Sequence, residues 1–95
     1  MKITGHEVEK LVDPTGIIIG DRYEFYLDIE VSEDDELYTD KGLSLKVIYA
    51  VDEQQSKIAL YQIYEKLSNQ PLDFELEDDE KQLVNDYCKE VIEAM

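Results

Sequence analysis

Residues 23–31 of the chain, Tyr-Glu-Phe-Tyr-Leu-Asp-Ile-Glu-Val, decide the fold. Aromatic and aliphatic side chains occupy every second position, and acids fill three of the four positions between them. Alternation with a period of two residues, built from β-branched and aromatic side chains, is typical of a strand with one buried and one solvated face. We therefore expect the rest of the chain to pack against the buried face of this strand.

Four further segments have the composition of strands. Residues 43–51 alternate in the same way, and apolar residues on their second face predict a central strand. Residues 57–66 are apolar on both faces; a helix also fits their spacing, but their β-branched and aromatic content favours a strand. Residues 72–76 alternate as a short last strand, and residues 2–12 alternate poorly, as an edge strand with or without a bulge does.

Turn residues and polar stretches separate these strands. Asp-Pro-Thr-Gly at residues 13–16 predicts a turn. The Gly-Asp pair at residues 20–21 is either a hairpin turn, which we favour, or a bulge within one long strand. Residues 32–42 form a polar, acidic connection. Within it, Leu37 and Tyr38 either pin the loop to the body of the protein or start a helical turn.

Near the C-terminus the apolar period changes from two residues to the spacing of a helix. The residues of this apolar stripe are Leu83, Val84, Tyr87, Cys88, Val91 and Ile92. Acids at residues 77–80 suit the start of a helix, where carboxylates complement the free N–H groups. The order of elements predicts an α+β fold, an antiparallel β-sheet of about five strands with one C-terminal amphipathic helix packed on one face. The length predicts a single domain spanning residues 1–95.

The charge of the chain restricts its partners. Twenty-four acids against nine bases give a net charge of −15, and Arg22 is the sole arginine. Such a charge repels nucleic acid and anionic membranes, so we expect neither as a partner. It suits a basic protein, although acidity can also serve solubility alone. We expect a monomer or a weak homodimer.

The location of the protein is predicted from its cysteine content and its hydropathy. The single cysteine excludes an internal disulfide, which suits a reducing compartment. The first residues carry no apolar run of signal-peptide length, and no stretch approaches the ~20 apolar residues that span a bilayer. We therefore expect a cytoplasmic protein.

Residue types that carry catalysis are sparse and isolated. His6 is the one histidine and is expected at the surface. Cys88 lies on the apolar stripe, where a cysteine usually serves as a small core residue. The four glycines form no phosphate-binding loop, and residues 34–42 lack the ligand pattern of a calcium loop. We therefore predict no catalytic residue, no cofactor and no metal site.

Six residues are candidates for contact with a partner: Asp34, Asp35, Glu36, Tyr38, Tyr26 and Tyr61. The first four belong to the acidic connection. Tyr26 and Tyr61 each lie opposite the main apolar face of their strand, where an exposed tyrosine suits protein contact. The alternative is that these two rings cover a second, thinner core layer.

Three segments carry a resemblance to a known family: Val-Asp-Pro-Thr-Gly at residues 12–16, Gly-Asp-Arg-Tyr-Glu-Phe at residues 20–25, and Val-Ile-Tyr-Ala-Val at residues 47–51. The chain resembles, over nearly its whole length, a small uncharacterised family of acidic intracellular proteins from Gram-positive, spore-forming bacteria. Some members carry the label pullulanase, but 95 residues are too few for that glycosidase architecture. The resemblance implies no catalytic or binding residue.

The sequence leaves the function unknown, with three classes open. A non-catalytic acidic protein that acts through protein–protein contact is favoured, because no set of active-site residues was found. The first alternative is a small hydrolase or carbohydrate-related enzyme that uses paired carboxylates. The second is an acidic mimic of nucleic acid that occupies the binding site of a basic protein.

Overall fold

A computed structural model describes residues 1–12, 20–52 and 55–95. In chain order the elements are β1 (Lys2–Leu11), β2 (Asp21–Glu30), β3 (Leu43–Val51), β4 (Ser56–Glu65), β5 (Gln70–Leu72) and α1 (Asp78–Ala94). The strands form one antiparallel sheet in the order β1-β2-β3-β4-β5, so β3 is central and β1 and β5 are the edges. The predicted α+β class is confirmed. The turn predicted at residues 13–16 lies outside the described residues.

The alternation in β2 and β3 places side chains on two faces of the sheet. Phe25, Leu27 and Ile29 of β2 lie opposite residues of β3 that are also buried, and together they form the core. Helix α1 covers this core face with Val84 and Cys88, both fully buried. The other face, which we call the open face, is covered by none of the described elements.

Strand β1 is an edge strand with a bulge. Its pairing with β2 shifts register between Ile3 and Gly5, which accounts for the poor alternation of this segment in the sequence. His6 lies on the core face and joins β1 to the helix, because its Nδ1 lies 2.7 Å from the hydroxyl oxygen of Tyr87. The aromatic rings of these two residues also meet edge to face, with centroids 5.4 Å apart.

Strand β4 contains a second irregularity that changes which side chains face the core. Ile48 and Tyr49 of β3 pair with Leu60 and Ile58, so Ala59 is the extra residue of a bulge. As a result, Ile58 lies on the core face, whereas Leu60 lies on the open face and is 64% exposed. The bulge also explains why the apolar residues of this strand did not follow one parity.

The bulge places Tyr64 contrary to expectation. In the sequence Tyr64 lies an even number of residues from Ile58 and Leu60, and this spacing predicts that its ring belongs to the core, as the alternation of their own strands predicts for Tyr23 and Tyr49. In the structure Tyr64 pairs with Ser44 on the open face and is half-buried there. Tyr49 is fully buried, and its hydroxyl has no hydrogen-bond partner among the described residues. An unsatisfied buried hydroxyl costs about 1–3 kcal/mol.

The last strand is shorter than predicted and lies earlier in the chain. A strand was expected over residues 72–76, but β5 spans only Gln70–Leu72. It ends because the Phe74 amide donates a hydrogen bond to the Leu72 carbonyl, a three-residue turn that bends the chain away from β4. The chain then enters the core at Leu76, which is 4% exposed.

Helix α1 begins as the acids predicted. The Glu80 carboxylate accepts a hydrogen bond from the Glu77 amide at 3.0 Å, which satisfies one of the free N–H groups at the helix start. The predicted stripe is correct for five of its six residues, and Leu83 is the exception because it is 40% exposed. Successive helical positions are about 100° apart, so Leu83 lies on the flank when Val84 points into the core.

Candidate functional site

Residues 32–42, which connect β2 to β3 and which we call the acidic loop, have a defined backbone. The Asp35 amide donates to the Ser32 carbonyl at 2.9 Å, and the Tyr38 amide donates to the Asp35 carbonyl at 3.0 Å. The Asp35 side chain accepts a further hydrogen bond from the Leu37 amide at 2.9 Å. Aspartate commonly stabilises a turn in this way. These bonds keep the loop in two consecutive turns.

The acidic loop is anchored to the protein at two points. The Leu37 side chain is 9% exposed and belongs to the core cluster. At the end of the loop, the Gly42 carbonyl accepts a hydrogen bond from the Lys66 amide at 3.1 Å. Gly42 itself has a φ of +80°, a conformation that favours glycine. Of the two alternatives for Leu37 and Tyr38, the structure shows the first for Leu37, which pins the loop, whereas Tyr38 is 42% exposed.

Glu65 of β4 connects the acidic loop to the end of the sheet. Its carboxylate lies 3.5 Å from the Lys41 ammonium and accepts hydrogen bonds from the hydroxyls of Ser68 and Thr39. The Ser68 hydroxyl is the main reason that the pKa of Glu65 is lowered, and the charge of Lys41 adds to it, although partial desolvation acts in the opposite direction. Glu65 is therefore engaged within the protein and is a poor contact for a partner.

Asp34, Asp35 and Glu36 occupy the tip of the acidic loop and are exposed. Within the described part of the chain, none of the three is in an ion pair. Asp28 on β2 differs, because its carboxylate lies 2.9 Å from the Lys66 ammonium. The tip therefore carries three uncompensated negative charges on an ordered backbone.

A shallow groove lies between the acidic loop and the adjoining ends of β2 and β3. It is lined by Ile29, Glu30, Val31, Glu33, Tyr38, Thr39, Asp40, Gly42 and Leu43. The Tyr38 hydroxyl donates a hydrogen bond to the Asp40 carboxylate at 3.2 Å, and this bond is the main reason that the pKa of Tyr38 is raised. The ring is 42% exposed, so the groove combines an accessible aromatic surface with carboxylates.

Of the predicted contact residues, Tyr38 alone lines this groove. The structure brings it together with Glu30, Glu33 and Asp40, none of which was singled out from the sequence. Asp40 had a weak signal, since it lies two residues after the tyrosine. Glu30 and Glu33 had none that distinguishes them from the other acids of the chain.

Tyr26 and Tyr61 lie on opposite faces of the sheet. Tyr26 is 42% exposed on the open face, opposite Glu7 and Lys46 of the neighbouring strands. A hydrogen bond to the Glu24 carboxylate raises the pKa of Tyr26, and slight desolvation and the charges of Glu24 and Glu9 add to this. Its position suits contact with another molecule.

Tyr61 lies on the core face of the sheet and has a structural role there. It pairs with Val47, packs against the core, and accepts a hydrogen bond from the Leu76 amide at 3.1 Å through its hydroxyl oxygen. The expectation that it lies opposite the apolar face of its strand is wrong, because the bulge at Ala59 reverses the parity. Tyr26 and Tyr61 therefore form no exposed pair.

The groups that could carry other chemistry are separated from one another. Among the described residues, no three or more His, Cys, Asp or Glu side chains are grouped so that they could hold a metal ion. Cys88 is fully buried, and burial raises the pKa of its thiol to about 12, which opposes a nucleophilic role. No helix within the described ranges is long and apolar enough to span a membrane.

The fold and the acidic loop define a small acidic α+β protein with one helix on an open antiparallel sheet. The chain belongs to a family of unknown function, DUF6509, whose model matches residues 1–95. No curated protein and no solved structure matches it.

Proposed function

We propose that this chain is a non-catalytic protein that binds a basic protein through the acidic loop. The observation that supports the proposal is the tip of the loop, where Asp34, Asp35 and Glu36 are exposed and unpaired with any described cation. Most other features of the acidic loop, such as the buried Leu37, fix its conformation. An ordered loop loses little conformational entropy on binding, so more of the interaction energy contributes to affinity.

The groove beside Tyr38 supplies the second part of the proposed contact. A lysine or arginine side chain of the partner can lie against the exposed Tyr38 ring, where cation–π attraction contributes about 0.5–1 kcal/mol. The carboxylates of Glu30, Glu33 and Asp40 line the same groove. Tyr26 is a further candidate contact on the open face, whereas Tyr61 is left out because its hydroxyl and ring are engaged within the protein.

The net charge of −15 determines how such a complex forms. Complementary charge raises the rate of association, and this effect falls steeply as salt increases. Because the tip of the acidic loop is exposed, its charges act mainly on encounter and not on the lifetime of the complex. The proposal therefore predicts a salt-dependent association rate.

The experiment begins with capture of binding proteins from a native lysate by the immobilised chain, followed by purification of a stoichiometric basic partner. Association is then measured for the wild type and for the triple variant Asp34→Asn, Asp35→Asn, Glu36→Gln. The asparagine side chain at position 35 keeps an oxygen that can accept the hydrogen bond from the Leu37 backbone amide, so we expect the loop to keep its conformation. A matched control, Asp79→Asn, Glu90→Gln, Glu93→Gln, removes three exposed carboxylates of α1, which covers the face of the sheet opposite to Tyr26.

We expect the loop variant to associate several-fold more slowly than both the wild type and the control at low salt, with the difference lost at high salt. Equal association rates for the two triple variants would remove the acidic loop from the interface.

Duplex DNA is added as a competitor to find out whether this chain occupies the nucleic-acid binding site of the partner. Displacement of this chain by DNA would favour the nucleic-acid mimic, and an unaffected complex would favour plain protein contact.

Several further features belong to the same proposal. The resemblance to acidic proteins of Gram-positive, spore-forming bacteria suggests the source of the family, and a role in protein contact would make the pullulanase label of some members a mislabelling. A cytoplasmic location, a single domain and a monomeric or weakly dimeric state accord with this function.

A further inference from the structure

We propose that the outer edge of β4 over residues 56–62, which we call the free edge, binds an extended segment of a basic partner protein by strand addition. The inference rests on the proposed function, since both require a protein partner. It concerns a different surface, and it specifies the conformation that the partner adopts there.

The free edge exists because β5 is short. β5 pairs only with the last three residues of β4, and its final pair joins Leu72 to Ile63. Beyond it, the Gln62 side-chain amide donates to the Leu72 carbonyl at 2.9 Å, and the chain bends away at Phe74. No described segment pairs with β4 over residues 56–62 on the side away from β3. Alternate residues of such an edge direct their N–H and C=O groups outward.

The free edge has fewer of the features by which proteins usually protect an edge strand than β1 has. Edge strands avoid unwanted pairing through charged side chains, prolines and bulges. β1, the opposite edge, carries four charged residues, namely Lys2, Glu7, Glu9 and Lys10, in addition to its bulge. Residues 56–62 read Ser-Lys-Ile-Ala-Leu-Tyr-Gln and contain one charge, on Lys57. Both edges have a bulge, so the difference between them is charge.

A shallow apolar groove runs beside the free edge. It is lined by Ile58, Ala59, Leu60 and Tyr61 of β4 and by Lys81 of α1. Leu60 is 64% exposed, so the groove presents an accessible apolar side chain. Recognition by strand addition combines main-chain hydrogen bonds with pockets for alternate side chains. The free edge supplies the first of these, and the groove between β4 and α1 supplies the second.

The charge of the molecule identifies the occupant as a basic segment and not as a second copy. Two copies would each bring a net charge of −15 to the contact. The exposed acids Asp73 and Glu75 adjoin this edge and attract a cation on the incoming segment. The residues on either side of them are bonded to β4, since the Leu72 carbonyl accepts a hydrogen bond from Gln62 and the Leu76 amide donates one to the Tyr61 hydroxyl. Pairing of two copies centred on Ala59 would also place Ile58 opposite Leu60, although these side chains lie on different faces of the sheet.

The test uses two synthetic probes with the full-length chain. The first is an eight-residue peptide of alternating lysine and valine. The second has the same side chains and charge, but its alternate backbone amides are N-methylated. The edge of this peptide that would pair with β4 therefore has no N–H groups to donate. Affinity is measured by titration, and amide hydrogen exchange is followed along β4 with and without each peptide.

We expect the unmethylated peptide to bind at least about tenfold more tightly, because a strand pair depends on backbone donors. It should also slow exchange of the outward-facing amides within residues 56–62. Equal affinity for the two peptides would show that charge alone attracts them, which overturns strand addition but leaves the acidic-loop proposal intact. Slow exchange that depends only on protein concentration would identify a second copy as the occupant and would also overturn the inference.

A matched pair of variants separates the edge from general electrostatics. Leu60→Ala removes an apolar side chain from the groove, whereas Leu67→Ala removes one at an exposed position in the turn after β4, and neither changes the net charge. Simple charge attraction predicts that both variants bind the basic peptide as tightly as the wild type. Strand addition predicts that Leu60→Ala binds it at least several-fold more weakly and that Leu67→Ala does not. Unchanged binding by both variants would contradict the inference.

Discussion

Cys88 illustrates how burial controls the chemistry of a single residue. It is fully buried, and burial raises the pKa of its thiol to about 12, whereas a thiol in an unfolded chain titrates near ~8.5. Because the folded pKa is the higher one, the contribution of the protonated thiol to stability is fully present below ~8.5. It is lost as pH rises toward the folded pKa.

We predict that the native protein reacts with iodoacetamide at pH 8 at least ~100-fold more slowly than the unfolded protein, since only the thiolate reacts and the folded thiol is protonated and enclosed. The rates are compared in buffer and in concentrated urea, and the single cysteine makes the product unambiguous. Equal rates in the two solvents would mean that Cys88 is accessible, and a redox role would then have to be considered.

The residue scale is also where the sequence was least informative. Tyr61 and Tyr64 exchange faces relative to expectation because Ala59 forms a bulge, and one extra residue reverses every side chain beyond it. No residue type in β4 distinguishes a bulged strand from a regular one with two apolar faces. The hydrogen bond between His6 and Tyr87 depends on how the helix crosses the sheet, so it too was invisible in the sequence.

The secondary-structure elements were predicted more accurately than the positions of individual side chains, as helix α1 shows. Its acidic start and apolar spacing indicated a helix over the correct part of the chain. A stripe that covers six residues in ten is wider than the buried face, however, and periodicity alone does not locate its centre. Val84 lies at the centre with no exposed surface, whereas Leu83 lies on the flank.

We predict that Val84→Ala lowers the free energy of unfolding by about 2 kcal/mol, because it removes two buried methyl groups and leaves a cavity. Leu83→Ala, on the exposed flank, should lower it by less than about 1 kcal/mol. Urea unfolding of the two variants measures both quantities, with the wild type as the reference. A larger loss for Leu83→Ala than for Val84→Ala would mean that the helix packs in a different rotation.

The acidic loop was predicted as an element but not as a groove. Its composition indicated a polar connection, and Leu37 was expected either to anchor the loop or to start a helical turn; the structure shows that it is buried. The grouping of Tyr38 with Glu30 and Glu33 depends on how the loop folds back on the end of β2. Separations in sequence do not determine such a fold, so the groove required the structure.

At the scale of the whole molecule, an acidic side chain stabilises or destabilises the folded state according to its position. A few are paired, as Asp28 is with Lys66, and those at residues 78–80 complement the dipole of α1. The tip of the acidic loop has neither kind of compensation. Repulsion among uncompensated charges disfavours the compact state, so these three carboxylates are expected to lower stability.

We therefore predict that the triple variant Asp34→Asn, Asp35→Asn, Glu36→Gln unfolds at a higher urea concentration than the wild type in ~0.01 M salt, where the Debye length is about 30 Å. In ~1 M salt, where it is about 3 Å, the two midpoints should coincide, because the repulsion that the variant relieves is already screened. The wild type should itself gain stability between these conditions. A variant that is less stable than the wild type at both salt concentrations would show instead that the three carboxylates hold the loop together, in which case they are not free to meet a partner.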